Sequence, residues 1–416
     1  MNKNYDLIIV GGGAAGIGAA ISAYQATKPQ ILIIEKEKEL GGILHQCIHD
    51  GFGLAEFGQE LNGPEYAYFL EEKLRLFNVT LLRETTVTKI THTKEVHAFS
   101  KEHGVLTLTT KAIVITTGSY ERSAGAINLP GDRGVGVYNA GQAQLLINKH
   151  GAKLGKKAFI VGSGDIGLIM ARRLTFTGIE VVGVSEIMAH SSGLNRNIAQ
   201  CLDDFDIPLY LRHKVVDVIG KPRLKQVKIA EIDDKFNVIP NTEKTFDVDL
   251  LLLAVGLIPL INLLEPLNVK LLNGRQVIVN NFYESSVAWI FVAGNALHIH
   301  DLADEAYAEG IEAGKSAALY VAGKLESSAP LDVTAGVGVS FVIPNYITLS
   351  PSFPTTNLKF RVTKPYINKF IHVYQGKKQI FRKFFPFLFP SELLVIPLDN
   401  TLVTTEEALK VEVKDG

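Results

Sequence analysis

The stretch Gly11-Gly12-Gly13-Ala14-Ala15-Gly16 follows directly on the apolar run Leu7-Ile8-Ile9-Val10. This pattern predicts a β-strand, a glycine-rich turn and the start of a helix. A further apolar run, Ile31-Leu32-Ile33-Ile34, ends at Glu35. In such a unit the glycines let the backbone approach a pyrophosphate at the helix N-terminus, and the acid binds an adenosine ribose. The first part of the chain is therefore predicted to bind a dinucleotide.

A second copy of this unit lies further along the chain. Gly162-Ser163-Gly164-Asp165-Ile166-Gly167 follows Ala158-Phe159-Ile160-Val161, and Glu186 follows Val181-Val182-Gly183-Val184. The acid stands at the same distance behind the last glycine in both copies. A single glycine turn also occurs as plain structure, but two complete units predict a chain that binds two dinucleotides.

Composition limits the class of protein. The chain has 416 residues, of which 47% are hydrophobic and 20% charged, as in a globular protein of two or three domains. The net charge of −1 gives no basic surplus for nucleic acid. Two cysteines, Cys47 and Cys201, exclude a disulfide framework. Since no signal-peptide core or apolar run of membrane-spanning length is present, we expect a cytoplasmic protein without a transmembrane segment.

Buried parallel-type strands end in Thr116-Thr117-Gly118 and in Ala293-Gly294-Asn295, and both are expected to belong to the first unit. The second unit would then be nested within the first. We predict an α/β fold with two nested Rossmann-like domains and a small C-terminal β domain. The expected ranges are 1–123 with 265–325 for the discontinuous first domain, 124–264 for the insert and 331–416 for an antiparallel β domain.

In this order the motifs resemble the two-dinucleotide flavoprotein oxidoreductases, the pyridine nucleotide-disulfide reductase superfamily that includes thioredoxin and glutathione reductase. The resemblance covers about residues 5–322 and implies FAD on the first unit and a nicotinamide dinucleotide on the second. Three stretches, 41–54, 61–67 and 294–302, look like a narrower group. That group comprises NAD/FAD-dependent dehydrogenases found beside anaerobic glycerol-3-phosphate dehydrogenase, with α-type subunits of opine and sarcosine oxidases and hydrogen cyanide synthase as relatives.

The resemblance and the two fingerprints give one set of expected cofactor-binding residues. They are Gly11, Gly13, Ala14, Ala15, Gly16, Glu35, Lys36, Gly42, Gln46, Val87, Thr117, Gly118, Gly162, Gly164, Asp165, Ile166, Gly167, Glu186, Gly256, Gly294, Asn295, Asp301 and Leu302. Glu186 favours NAD(H) over NADP(H), because no arginine that would pair with a 2′-phosphate follows it before Arg196.

The chain departs from the disulfide reductases in its thiols. Only Cys47 follows the Gly41-Gly42 pair, with His49 close by, and no second cysteine accompanies it. A two-thiol relay is therefore not expected. Cys47 and His49 remain candidates for catalysis, and the alternative is a cysteine that packs as a small hydrophobe. Asn295 replaces the acid that is usual in the superfamily.

Two further stretches leave alternatives open. His298, His300 and Asp301 look superficially like metal ligands, but we predict no metal and expect Asp301 to cap a helix over about Leu302 to Tyr320. In related flavoproteins this helix start faces the pyrimidine edge of the flavin. The aromatic stretch Phe384 to Pro390 is interpreted as core, as a contact for a protein partner or as a membrane contact.

The resulting hypothesis is an NAD(H)-linked FAD oxidoreductase within a larger complex. Its partners would be a second flavin dehydrogenase subunit and a small cysteine-containing electron-transfer protein, with glycerol 3-phosphate or an amino-acid-like or opine substrate. One alternative is a stand-alone NADH:acceptor oxidoreductase that uses oxygen or quinone. Another, of a different class, is a non-catalytic regulatory subunit that binds dinucleotides.

Overall fold

The computed structural model describes residues 3–325, 328–405 and 407–415. Contacts divide the chain into two units, Met1–Ser119 with Pro259–Gly416, and Tyr120–Ile258. The inserted unit thus begins and ends a few residues earlier than the expected 124 and 264, and the C-terminal β residues pack with the first unit. The outermost residues of the expected ranges, 1 and 416, lie outside the described residues.

The first unit opens with a mixed sheet, in part parallel and in part antiparallel. Its elements are β1 (Asn4–Val10), α1 (Ala14–Thr27), β2 (Ile31–Ile34), a 3-10 turn (Gly42–Gln46), β3 (Asp50–Phe52), α2 (Leu54–Phe57), β4 (Leu61–Asn62), α3 (Gly63–Leu74), β5 (Val79–Leu82), β6 (Thr85–Ile90), β7 (Glu95–Ser100) and β8 (Gly104–Ile115). The sheet order is β5-β2-β1-β8-β7-β6, which is parallel at β5-β2-β1-β8 and antiparallel at β8-β7-β6. β8 is one continuous strand with two partners. Its first half pairs with β7 antiparallel, and its second half pairs with β1 in parallel.

The inserted unit repeats this plan. Its elements are β9 (Ser119–Glu121), β10 (Val137–Asn139), α4 (Ala140–His150), β11 (Lys157–Val161), α5 (Asp165–Phe176), β12 (Glu180–Glu186), α6 (Asn195–Cys201), β13 (Leu209–Leu211), β14 (His213–Ile219), β15 (Gln226–Glu231), β16 (Lys244–Asp247), β17 (Leu250–Leu253) and β18 (Leu257–Pro259). A parallel sheet of order β10-β17-β11-β12-β13 is followed by the antiparallel sheet β14-β15-β16. In both units the strand before the glycine turn lies between the strand that ends in the acid and a strand from later in the chain.

The chain then returns to the first sheet. It forms a 3-10 turn (Asn262–Leu267), β19 (Leu271–Leu272), β20 (Gln276–Val277), β21 (Ile290–Val292), a 3-10 turn (Gly294–Ala296) and α7 (Ala303–Val321). β21 pairs with β8 in parallel, as predicted for a strand of the first unit. A Cβ at Gly310 or Gly314 would clash with the backbone of α1, so α7 and α1 pack with their backbones in close contact.

The C-terminal domain has two sheets. Its elements are β22 (Leu331–Ala335), β23 (Val339–Ile343), β24 (Tyr346–Ile347), β25 (Thr355–Val362), β26 (Tyr366–Gln375), β27 (Lys378–Leu388), β28 (Leu394–Asp399), a 3-10 turn (Asn400–Leu402) and β29 (Leu409–Lys414). The sheet orders are β24-β22-β29-β26-β27 and β23-β25-β28. The expectation of a wholly antiparallel domain is wrong at one pair, because its first and last long strands, β22 and β29, pair in parallel.

The predicted α/β class, with two Rossmann-like sheets and a C-terminal β domain, is confirmed. Among the described helices, none is long and apolar enough to cross a membrane.

Candidate dinucleotide-binding sites

The first glycine turn fits closely against the end of β8. Gly11 has a φ of +104°, and a Cβ there would clash with Thr116 O. A Cβ at Gly16 would clash with Gly11 O. Gly13 differs, because it is the N-cap of α1, no side chain caps the helix, and a Cβ there would meet nothing within 4 Å. The helix N-terminus is therefore open on the side where backbone N–H groups attract an anion.

Four other predicted glycine or threonine positions lie around this turn. A Cβ at Gly42, where φ is +57°, would lie 3.6 Å from Gly13 Cα. Thr117 N would lie 3.2 Å from a Cβ at Gly11, and Gly118 after it has open space around it. Gly294 approaches α1 so closely that its Cβ would lie 2.7 Å from the Cβ of Ala15. The structure thus brings together segments that are far apart in the sequence.

Glu35 is 5% exposed at the end of β2. Its Oε2 accepts a hydrogen bond from Gly12 N at 2.7 Å, and its Oε1 accepts one from Glu37 N at 2.8 Å. Lys36 is exposed, with its Nζ 3.8 Å from Glu37 Oε1. The carboxylate therefore fixes the glycine turn relative to the strand whose end should face a ribose.

The second glycine turn has the same geometry. Gly162 has a φ of +97°, and a Cβ there would clash with Ala254 O. A Cβ at Gly167 would clash with Gly162 O. Gly164 is the N-cap of α5, which no side chain caps. As in the first unit, only glycine fits where the turn meets the neighbouring strand.

Glu186 takes the place in the second unit that Glu35 has in the first. Its Oε2 accepts hydrogen bonds from Ser163 N at 3.1 Å, from Ser163 Oγ at 2.6 Å and from Ser192 Oγ at 3.1 Å. Its Oε1 accepts one from Met188 N at 3.0 Å. Two serine hydroxyls therefore already donate to the carboxylate that should meet ribose hydroxyls.

The other predicted residues of the second unit have structural contacts. Asp165 Oδ1 accepts from Leu194 N at 2.9 Å and from Asn197 Nδ2 at 2.6 Å, which holds the loop after β12 beside the turn. Ile166 packs against the core of this unit. Gly256, after β17, has a φ of +99° and only the side chain of Arg122 near it.

Four further predicted residues of the first unit are buried or half-buried. Gln46 is buried in the 3-10 turn, and Val87 is buried in β6. Thr117 Oγ1 donates to Leu260 O at 2.6 Å. Asn295 Oδ1 accepts a hydrogen bond from His300 N at 3.1 Å, so its amide oxygen orders the turn before α7.

Cys47 and His49, the predicted catalytic residues, each hydrogen-bond to a nearby backbone carbonyl. The Cys47 thiol donates to Ile43 O at 3.4 Å, and burial raises its pKa to about 12. Such a thiol stays protonated at neutral pH and lacks the thiolate that disulfide exchange needs. His49 Nδ1 donates to Asp50 O at 3.0 Å, and its ring lies 5.0 Å from that of Phe52.

A buried ionic cluster, which sequence reasoning missed, lies behind Gly294. Glu309 Oε1 accepts a hydrogen bond from Gly294 N at 2.8 Å. Glu309 Oε2 accepts from His298 Nε2 at 2.9 Å and from Lys359 Nζ at 2.7 Å. His300 Nε2 lies 3.4 Å from the same oxygen without a hydrogen bond. We call Glu309, His298, His300 and Lys359 the α7 cluster.

The charges in this cluster are compensated within it. Although burial alone would raise it, the pKa of Glu309 is held well below its usual range by Lys359, His298 and His300. Burial lowers the pKa of His300, against the opposing effect of Glu309 and with smaller contributions from His298 and Lys359 in the same direction as burial. At neutral pH the cluster is therefore an ion pair between Glu309 and Lys359 with a neutral His300 beside it.

The same side chains have the spacing of a metal site. Ligand atoms of His298, His300 and Glu309 lie within 4.8 Å of one another. The ammonium of Lys359, however, already binds the carboxylate at 2.7 Å, and a divalent cation there would meet its positive charge. The donor set therefore favours an ion-pair cluster over a metal centre.

The expectation that Asp301 caps α7 is wrong. The N-cap is Leu302, without a side-chain cap, and the Asp301 carboxylate is bound by the Arg361 guanidinium and by Leu393 N at 2.7 Å. The reason is the docking of β25 on this segment. Its residues 357, 359 and 361 contact α7 and the segment before it, while 358, 360 and 362 are in the core of the C-terminal domain.

A signal for this docking is present in the sequence. The polar residues Asn357, Lys359 and Arg361 alternate with apolar ones, a pattern that normally indicates a solvent-exposed face. Glu309 stands in a helix rich in alanine and glycine, where a buried acid is unusual. The sequence does not show that Lys359 and Glu309 are partners, because the two residues are distant in the chain.

Comparisons with known proteins agree with this geometry. The family model of pyridine nucleotide-disulphide oxidoreductases matches residues 5–310. Hydrogen cyanide synthase subunit HcnB of Pseudomonas aeruginosa is 26% identical over 359 residues, 78% of this chain and 72% of that protein. NADH oxidase of Methanocaldococcus jannaschii is 24% identical over 305 residues, 71% of this chain and 63% of that protein. Thioredoxin reductase of T. acidophilum shares the fold, with a TM-score of 0.62 and 22% identity over 76% of this chain and 98% of that one.

We expect Lys359→Met to destabilise the apoprotein, because it leaves the buried Glu309 carboxylate without its cation. Breaking a buried pair in this way costs about 3–5 kcal/mol. The free energy of unfolding, measured by urea titration, should fall by that order. Lys315→Met, at an exposed position of α7, is the matched control and should change it little. An unchanged free energy in Lys359→Met would show that the ion pair does not support the fold.

Proposed function

The chain belongs to the pyridine nucleotide-disulphide oxidoreductase family, whose members bind FAD and NAD(P), and on that premise we propose that it is an NAD(H)-linked FAD oxidoreductase. The observation that carries the proposal is the pair of glycine turns. Each opens an uncapped helix and each is hydrogen-bonded to a buried glutamate, Glu35 or Glu186. One such turn for each dinucleotide is what hydride transfer between a nicotinamide and a flavin requires.

FAD is assigned to the first unit. The open space at Gly13 and at Gly118 fits a ligand that approaches backbone closely, since larger residues there would fill it. Gly13 and Gly42 would face the pyrophosphate, and Glu35 would accept hydrogen bonds from the adenosine ribose. Bound there, the flavin supplies the hydride-accepting chemistry, and these residues supply its position.

NAD(H) is assigned to the inserted unit. Glu186 would accept hydrogen bonds from ribose hydroxyls in place of those of Ser163 and Ser192. A 2′-phosphate would instead meet a buried carboxylate of the same charge. NADH is therefore the proposed nicotinamide substrate.

The two cysteine thiols bear on which acceptor receives the electrons. Neither Cys47 nor Cys201 forms a disulfide in the described part of the chain, and burial raises the pKa of both thiols. Transfer to a small disulfide therefore lacks its reactive group. We propose a cytoplasmic subunit of a dehydrogenase of the glycerol-3-phosphate or opine type, with a second flavin subunit and a small cysteine-containing protein as partners.

Similarity to a subunit of hydrogen cyanide synthase supports this proposal, because that protein is named as part of an assembly. Similarity to an NADH oxidase favours the second candidate, a stand-alone NADH:acceptor oxidoreductase. A regulatory subunit that binds both dinucleotides without turnover is the third candidate. The three differ in what the isolated chain does with NADH.

Glu35→Ala should purify largely as apoprotein. It removes an acceptor of two charge-assisted hydrogen bonds to the ribose, each contributing about 1.5–3 kcal/mol. Flavin content, read from the visible absorption after reconstitution with FAD, measures the effect. Glu37→Ala, an exposed acid two residues along, should retain its flavin. Full occupancy in folded Glu35→Ala would refute the ribose assignment.

Glu186→Ser should narrow the preference for NADH over NADPH. Removing the like charge should favour NADPH by roughly tenfold, the equivalent of about 1.4 kcal/mol. Anaerobic titration of the flavin with each nucleotide, followed by bleaching, gives both affinities. Glu180→Ser, at the exposed start of the same strand, is the control. Equal use of NADH and NADPH by the unmodified protein contradicts the assignment of Glu186.

The isolated, FAD-loaded chain should reduce artificial dyes with NADH and leave glycerol 3-phosphate and opines unoxidised. Activity toward one of these substrates should appear when the co-purified native partners are added. Rapid consumption of oxygen or quinone by the isolated chain would favour the stand-alone enzyme. A bound flavin that NADH does not reduce would favour the regulatory subunit.

A further inference from the structure

One end of the C-terminal domain exposes large apolar side chains. Val337, Ile367, Phe384 and Phe387 are 72%, 63%, 48% and 57% exposed. Ile367 lies opposite Phe387 across the β26–β27 pair, three residues from the pair of Phe370 with Phe384. We call these four side chains the apolar tip.

Backbone contacts bring the Val337 loop to this end. Val337 O accepts a hydrogen bond from Val413 N at 2.9 Å, and Val413 pairs with Ile371 of β26. β29 pairs with β26 only from Phe370 onward. The open end of the β26–β27 pair, at Ile367 and Phe387, therefore extends beyond β29. The tip lies where this strand pair extends past β29, next to Leu388, which is fully buried in the core of the C-terminal domain.

Cations lie beside the tip. From Thr363 to Ser391 the sequence contains no Asp or Glu, and its basic residues are Lys364, Lys369, Lys377, Lys378, Arg382 and Lys383. Lys377 and Lys378 lie at the turn between β26 and β27, at the other end of this strand pair, and the remaining four lie nearer the tip. Within the described residues, only Lys369 of these has an ion pair, with Asp415. Arg382 lies over the ring of Phe370 at 3.9 Å and Lys383 over that of Phe385 at 5.2 Å. Unneutralised positive charge thus lies directly beside half-buried aromatic rings that neighbour Phe384 and Phe387.

This chemistry distinguishes between possible occupants. Protein interfaces are depleted in lysine, whereas segments that lie in a membrane interface combine aromatic and aliphatic side chains with Lys and Arg. A second copy of the chain would bring these cations against their own equivalents. Addition of a strand from another protein is opposed by Pro386 and by the charges along β27, which is an edge strand.

We propose that the apolar tip docks this chain peripherally on an anionic lipid surface. Ile367, Phe384 and Phe387 insert between headgroups, and the surrounding lysines and arginines pair with lipid phosphates. The inference rests on the C-terminal domain alone and does not depend on the proposed redox activity.

The test is co-sedimentation of the full chain with vesicles. Binding is expected to vesicles of equal parts phosphatidylglycerol and phosphatidylcholine, and it should weaken at about 0.5 M salt. Phe384→Ser with Phe387→Ser should reduce the affinity about tenfold or more, through lost apolar burial. Lys364→Gln with Lys383→Gln should reduce it by about tenfold on the anionic vesicles alone. Phe99→Ser, in the first unit with the same 57% exposure as Phe387, is the control and should bind normally.

Several outcomes would overturn the proposal. Absence of binding to the anionic vesicles, or equal binding to vesicles of phosphatidylcholine alone, contradicts it. So does unchanged binding of the Phe384→Ser, Phe387→Ser variant when its thermal unfolding matches that of the parent chain. A dimer in solution that this variant abolishes would assign the tip to a second copy, and a stable complex with an acidic protein lost in the same variant would assign it to a partner.

Discussion

The Glu309 carboxylate ties together three parts of the first unit. It holds the turn at Gly294 through the backbone, His298 on that turn and Lys359 of the C-terminal domain. A carboxylate with no exposed surface must be neutralised by a partner, because the protein interior solvates it poorly. The position of the Gly294 turn therefore depends on a cation supplied by another domain. This makes the C-terminal domain a structural part of the proposed flavin site.

The two glycine turns depend on a related but simpler constraint. In each unit a glutamate at the end of the second strand accepts a hydrogen bond from the backbone of the turn, at Gly12 or Ser163. Gly11 and Gly162, which begin the two turns, must be glycine because a Cβ at either would clash with the backbone that follows the neighbouring strand. Strand, turn and acid are thereby fixed relative to one another before any ligand binds, which reduces the ordering cost of binding.

These local devices are the part that the sequence predicts well. Strand periodicity, glycine spacing and the acid all lie within one short segment, so Glu35 and Glu186 are found without tertiary information. Asp301 is different, because its carboxylate binds Arg361, and α7 and strands β22 to β24 separate the two residues in the sequence. The pairing of Glu309 with Lys359 could not be predicted from the sequence for the same reason. Polar alternation on a strand predicts a face but not what covers it.

The C-terminal domain distributes its residues against the usual rule. The side of β25 that contacts α7 is polar and charged, with Lys359 in a buried hydrogen bond and Asn357 in a partly buried one. Phenylalanines such as Phe387 instead face solvent at the apolar tip. Apolar side chains are normally found inside and charges outside. The inward polarity is accounted for by Glu309 and Glu312, which need partners. The outward apolar surface has no such account within the described chain, and a second environment that is both apolar and anionic supplies one.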